Sequence, residues 1–228
     1  MANIFKTGIL ADKFMLGTII STVVVLVLAV FYLTKNPGGS TPANSAQMTE
    51  ILTVKADDWV RGSATASVTV IEYLDFECEA CKVYYPITKQ LQAEYKDKVR
   101  FVVRYFPLPG HKNSLPSALA AEAAGKQGKF WEMHDILYDN QKIWGEKTAT
   151  DPALFLDYAK QIGLNLDQYA KDVALSEVFT RVNRDKAEGN SLGISGTPTF
   201  FVNGQKIPNP KGYGDFKTFI DGLMPAEK

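Results

Sequence analysis

Residues 73–86 read YLDFECEACKVYYP and hold Cys78 and Cys81, the two cysteines of a 228-residue chain. Two thiols at this spacing admit three chemistries: half of a metal site, a small static ring, or reversible electron exchange. The metal option is poorly supplied. Structural zinc is commonly held by four ligands, from two cysteine pairs or one pair plus histidines. Only His111 and His134 remain, well separated, and His134 lies in FWEMHDIL, a stretch patterned as a packed helix. A static ring stabilises little, because its closed loop is very short.

The flanking pattern favours exchange. Ser67–Leu74, SVTVIEYL, is β-rich and apolar on both faces, which predicts a central strand covered on both sides. After the cysteines, Ala80, Val83, Tyr84, Ile87, Leu91 and Tyr95 recur at helical spacing, with Pro86 inside the helix. Cys78 therefore stands where a strand turns into a helix. Unpaired N–H groups and the helix dipole favour a thiolate there, and a stabilised thiolate is a good leaving group in exchange. Cys81, one turn on, faces inward and is placed to attack a mixed disulfide. Glu79 between them opposes thiolate formation.

Downstream, Val99–Tyr105 (VRFVVRY) predicts a second strand, parallel to the first across the helix. Helical segments follow at Ser114–Gly125, Lys129–Asn140 and Asp151–Ile162, and over most of Leu166–Asn190. Strands resume at Thr199–Val202 and Gln205–Ile207 around Asn203-Gly204, a strong hairpin signal. A last helix is expected at Gly214–Leu223. The order is βαβ, a helical insert at about 112–190, then ββα.

This order, together with YLDFECEACKVYYP, resembles the thioredoxin superfamily and, within it, the DsbA-like thiol oxidoreductases. Pro86 stands five residues after Cys81 and Glu72 six residues before Cys78, matching the family's helix kink and buried acid. GTPTFFVNG, Gly196–Gly204, resembles the family's cis-proline segment, which makes Pro198 the cis residue. RYFPLPGHKNS and AAEAAGKQGKFWEMHDILY resemble the approach to the DsbA-type insert. The resemblance covers about Asp57 to Leu223. It implies an α/β thioredoxin fold with a helical insert and a Cys78–Cys81 redox pair, with no cofactor beyond that disulfide. Glu72 would exchange a proton with Cys81, its pKa raised by burial. Thr197 and Pro198 would present backbone to an extended substrate peptide. The implied activity is a dithiol oxidase acting on exported cysteine-containing proteins, reoxidised by a DsbB- or VKOR-type membrane partner. A reductase or an isomerase of the same fold is the alternative. So is a binding module in which the CxxC is a structural ring. CEAC lacks a central proline or histidine, so strong oxidising power does not follow from the resemblance. His111 lies in a Pro/Gly-rich loop and is expected at the loop surface, with a position at the active-site face as the alternative. Trp131 and Trp144 are expected in packing.

The N-terminus sets the compartment. Phe14–Leu33 is a run of twenty uncharged residues, enough for a helix across a bilayer. A cleaved signal peptide is the alternative, though its apolar region is typically about 7–15 residues. Lys6 and Lys13 precede the run and Lys35 follows it, a bias toward a cytoplasmic N-terminus. The expected organisation is a cytoplasmic segment at 1–13 and a transmembrane anchor at 14–34. A flexible linker at 35–55, carrying NPGGSTPANSAQ, then leads to an extracytoplasmic domain at 56–228. An oxidising compartment permits disulfides. Lys+Arg and Asp+Glu both number 25, a balance that argues against a nucleic-acid binder.

Overall fold

The computed structural model describes residues 43–147 and 151–225. The anchor expected at 14–34 lies outside the described residues. Among those described, no helix is long and apolar enough to cross a membrane.

The first element corrects the linker boundary. Helix α1, Ser45–Leu52, falls inside the span read as a tether. Its composition is polar, but Asn44 and Gln47 form a reciprocal capping box that satisfies N-terminal N–H groups. Its last residue, Leu52, is buried against Ile71, Val102 and Phe201 of the sheet. The folded unit thus includes this helix and does not start at residue 56.

Five strands follow: β1 (Trp59–Arg61), β2 (Val68–Leu74), β3 (Val99–Tyr105), β4 (Thr199–Val202) and β5 (Gln205–Ile207). Their spatial order is β1-β3-β2-β4-β5. β2 and β3 are parallel, and the other pairs are antiparallel. β2 is central, as its apolar pattern predicts. β1 went unread because three residues carry no period.

Helix α2, Glu79–Tyr95, is the crossover from β2 to β3 and continues through Pro86. The insert comprises α3 (Ser114–Lys126), α4 (Phe130–Asp139), the short α5 (Gln141–Trp144), α6 (Pro152–Gln161), α7 (Leu166–Val173) and α8 (Ser176–Ser191). The last helix is α9, Tyr213–Asp221. The β4–β5 turn places Asn203 at φ 47° and Gly204 at φ 79°, the left-handed pair a two-residue hairpin needs.

Alternation along the strands divides the core. Val70, Phe101 and Phe200 face Leu91 and Tyr95 of α2 and Phe216 and Ile220 of α9. Ile71, Val102 and Phe201 face the opposite side, toward Leu52, Leu192 and Ile194. A third cluster joins Cys78, Cys81 and Tyr85 to Phe130, Met133, Leu137 and Tyr138 of the insert. The cysteines and the insert therefore share one packed core, at about 1.5–3 kcal/mol for each large side chain removed from water.

A buried charge network fastens the N-terminal segment. Arg104 of β3, fully buried, meets Asp58 in a two-pronged pair at 3.1 and 2.8 Å. It also donates to the Ile51 carbonyl, and to that of Thr53 at 2.9 Å. Arg181 of α8 joins Asp58 at 3.3 Å and pairs with Asp185 one turn along. Satisfying both partners offsets the cost of burying these charges.

Candidate active site

Cys78 is the N-cap of α2, in extended conformation (φ −68°, ψ 123°), and its carbonyl accepts the first helical bond from Lys82. The turn before it is closed by the Cys78 N–H donating to Asp75 O at 3.1 Å. Both cysteines are free thiols; Cys78 is 8% exposed and Cys81 wholly buried. This asymmetry gives the pair an outer and an inner sulfur.

The outer sulfur is acidic. A hydrogen bond from Cys81 is the largest cause, and bonds from Thr197 and from the N–H groups of Cys81 and Ala80 add to it against burial; together they bring Cys78 down to about 5. Cys81 moves well up, through burial, its bond to Cys78 and the neighbouring Cys78 and Glu72 charges. At neutral pH the pair therefore holds one proton, on the inner sulfur.

Glu72 lies on the α2-facing side of β2, paired with Val103 and Phe200 of the adjoining strands. It is 7% exposed, and burial lifts its carboxyl to about 8. Its charge, when present, raises the Cys81 thiol.

The segment entering β4 closes the other side. The Thr197–Pro198 peptide is cis. The Cys78 thiol donates to Thr197 O at 3.4 Å. The Thr197 hydroxyl is buried with no hydrogen-bond partner in this thiol state. When Cys78 ionises its sulfur becomes an acceptor, and that hydroxyl is in place to donate to it. Pro198 is fixed in turn by Asn209, which donates to its carbonyl at 3.0 Å.

Four residues that fasten the site went unread as parts of it or were only partly placed. Asp75 accepts from the N–H groups of Glu77 (2.9 Å) and Leu108 (3.0 Å), and its Oδ2 lies 2.7 Å from Nδ1 of His111. Glu77 accepts from the N–H groups of Asn113 (2.7 Å) and Glu146 (3.0 Å). Gln141 donates to the carbonyls of Phe76 (2.7 Å) and Cys78 (3.0 Å). His111, expected at the loop surface, is instead held by the buried Asp75 against the turn that carries the cysteines, because the carboxylate there offers its ring nitrogen a partner. Acidic residues just before a CxxC were the available signal; their partners sit some 30 to 70 residues away and have no local signature. Trp144 is buried in the insert, and Trp131 stacks under Arg61 at 4.2 Å, so both pack.

A cleft of about 370 Å³ opens beside the pair between Glu79, Lys82 and Val83 of α2 and Gln141, Lys142 and Glu146. Val83 is 64% exposed there. The neighbouring Glu79 carboxylate, which accepts a hydrogen bond from protonated Glu146 and repels its charge, raises the Glu146 carboxyl. Among the described residues, no group of three or more His, Cys, Asp or Glu side chains could hold a metal ion.

Residues 55–222 match the family model described as thioredoxin. The chain is 41% identical over 154 residues to the Na(+)/H(+) antiporter NhaA 3 of Salinispora tropica. That match takes 67% of this chain but only 22% of the antiporter, so the chain spans about a fifth of that relative's length. Among solved structures, α-DsbA1 of Wolbachia pipientis superposes with a TM-score of 0.70 at 22% identity, covering 77% of this chain and 95% of that one. Oxidised BdbD of Bacillus subtilis superposes with a TM-score of 0.65 at 26% identity, covering 81% and 96%.

Proposed function

The chain belongs to the thioredoxin family and is a DsbA-like thiol:disulfide oxidoreductase, and from that premise we propose that it works as a dithiol oxidase of exported proteins, held at the membrane by residues 14–34. In the proposed cycle a substrate thiolate attacks Cys78 of the Cys78–Cys81 disulfide. Cys81 leaves and takes a proton, with Glu72 as the adjacent donor. A second substrate thiol attacks the substrate sulfur of the mixed disulfide, and Cys78 leaves as a thiolate. The substrate is oxidised by two electrons and the enzyme pair is reduced. A DsbB- or VKOR-type membrane partner would restore the disulfide. No external cofactor enters the cycle.

The observation that carries this direction is the acidity of Cys78, at about 5. A thiolate this stable is a ready leaving group, and stabilising the reduced form makes the disulfide more oxidising. Relative to an ordinary thiol at 9.0, the gain at pH 7 is about 3 kcal/mol. For a two-electron couple that is roughly 60 mV. The low exposure of Cys81 leaves Cys78 as the sulfur an incoming chain can reach.

The tether and the extracytoplasmic placement rest on the apolar run and the flanking lysines. The antiporter relative adds support, since an ion antiporter operates in a membrane and carries a domain similar to this one. Tethering would raise the effective concentration of a membrane reoxidant.

A redox titration with thiol alkylation as readout tests the direction. A potential well above that of thioredoxin is expected for an oxidase. A potential at or below it would point to a reductase and overturn the proposal. Cys81→Ser should accumulate mixed disulfides through Cys78, whereas Cys78→Ser should exchange nothing.

A further inference from the structure

His111 is held by Asp75 against the turn that carries the redox pair, without a place in that cycle. Its Nδ1 is 2.7 Å from the Asp75 carboxylate, and its side chain is 34% exposed. The Asp75 backbone carbonyl accepts the Cys78 N–H, so one residue holds both the imidazole and the outer cysteine. The groups facing the ring come from three places: Asp75, Glu77 and Cys78 in the turn after β2, Lys112 in its own loop, and Glu146 and Lys147 in the segment after α5.

We propose that His111 is a redox-linked proton acceptor, taking up a proton when the disulfide is reduced and releasing it when the disulfide re-forms. The inference rests on the reading of Cys78 as the exchanging thiolate. Reduction by two substrate thiols breaks the Cys78–Cys81 bond, forms the substrate disulfide and frees two protons. Cys81 keeps one. Cys78 leaves as a thiolate, so the second proton needs another acceptor, and neutral His111 becomes imidazolium. The charge balances: one thiolate and one imidazolium appear together.

The electrostatics agree with this geometry. Burial pulls the imidazole's basicity down, but the Asp75 hydrogen bond and the charges of Asp75, Glu77 and Cys78 outweigh it and raise it. Of these, only the Cys78 charge vanishes when the disulfide forms. By reciprocity, whatever the thiolate does for the imidazolium, the imidazolium does for the thiolate. His111 would thus be a positioning residue that acts on the substrate only through Cys78.

The chain has two histidines, so a histidine NMR titration of the purified full chain is readily assigned. The expected result is a higher His111 midpoint in the reduced protein than in the oxidised protein. Equal midpoints in the two states would overturn the inference, and this needs no variant. His111→Gln supplies a second readout. The ionisation constant of Cys78, followed by thiolate absorbance, should fall about two- to fivefold, the size of a partly exposed charge pair. The reduction potential should also lose part of its pH slope across the His111 titration window. An unchanged constant and slope would also overturn it. If wild-type Cys78 has no low midpoint, the dithiol-oxidase reading itself has failed; if that midpoint stands while the histidine signals coincide, only the role of His111 falls.

Discussion

Replacing Glu72 with glutamine removes a carboxyl that the fold keeps from ionising. The folded value is about 8 against an ordinary 4.5, with burial as the cause. The sign follows from linkage. Below about pH 4.5 the carboxyl is protonated in both folded and unfolded chains and contributes nothing. Between 4.5 and 8 the unfolded chain releases the proton more readily, so stability is lost as pH rises, and above 8 the loss is constant. Each pH unit of difference is 1.36 kcal/mol. From pH 5 to pH 8 the wild-type chain should therefore lose roughly 3 to 4 kcal/mol more than Glu72→Gln. The assay is urea unfolding of the reduced protein, beginning at residue 43, at several pH values in this range. Other titrating groups, including Cys78 near 5 and Asp185 at about 6, are common to both proteins and cancel in the difference. Parallel stability curves would refute the burial of an ionisable Glu72. Thiol exchange supplies an independent check. The glutamine cannot donate a carboxyl proton to the departing Cys81, so the first attack on the Cys78–Cys81 disulfide should slow while release of Cys78 by the second substrate thiol is unchanged.

Alkylation of the reduced protein should report a Cys78 midpoint near 5; a midpoint above pH 8 would remove the basis for oxidase chemistry. Thr197→Val keeps the shape but deletes a donor to a charged sulfur, a bond worth about 1.5–3 kcal/mol. The Cys78 midpoint should then rise by roughly one to two pH units, read by thiolate absorbance, and no rise would mean that the hydroxyl stays unpaired. A Cβ at Gly189 would lie 2.6 Å from the Phe106 ring, so Gly189→Ala should destabilise by about 1–3 kcal/mol in urea unfolding. Asp58→Ala leaves Arg104 buried without its carboxylate; a loss of about 3–5 kcal/mol is expected by the same assay.

Strands were legible because their residues state a period. β3, β4 and β5 lie where the β-branched and aromatic runs end, and β2 starts one residue later than read. The elements that were missed or misassigned owe their structure to something other than composition. α1 looks like tether, and its capping box and one buried leucine hold it. β1 is an edge strand fixed by pairing with β3. The helix expected over Leu166–Asn190 breaks at Ala174 and Leu175, where Leu175 turns extended (ψ 134°). The site divides in the same way. Cys78, Cys81 and Glu72 announce themselves within ten residues, and Pro198 stands in a recognisable segment. Asp75, Glu77, Gln141 and His111 gain meaning only from contacts between the turn and the insert.

Those contacts explain how an acidic stretch holds a thiolate. Phe76–Lys82 carries Glu77 and Glu79, with Asp75 just before it, which by charge alone should push Cys78 up. Asp75 and Glu77 are turned away from the sulfur, toward the backbone N–H groups of Leu108, Asn113 and Glu146. Their charge organises the loops around the site. The sulfur is served by neutral donors instead: the Cys81 thiol, the Thr197 side chain and the N–H groups opening α2. Fixed donors in a buried pocket cost little reorganisation when charge arrives, so they stabilise it more than mobile surface cations would. The insert holds the turn in place through Asn113, Gln141 and Glu146. Gln141, bonded to the carbonyls on both sides of Glu77, carries that hold to the turn's backbone.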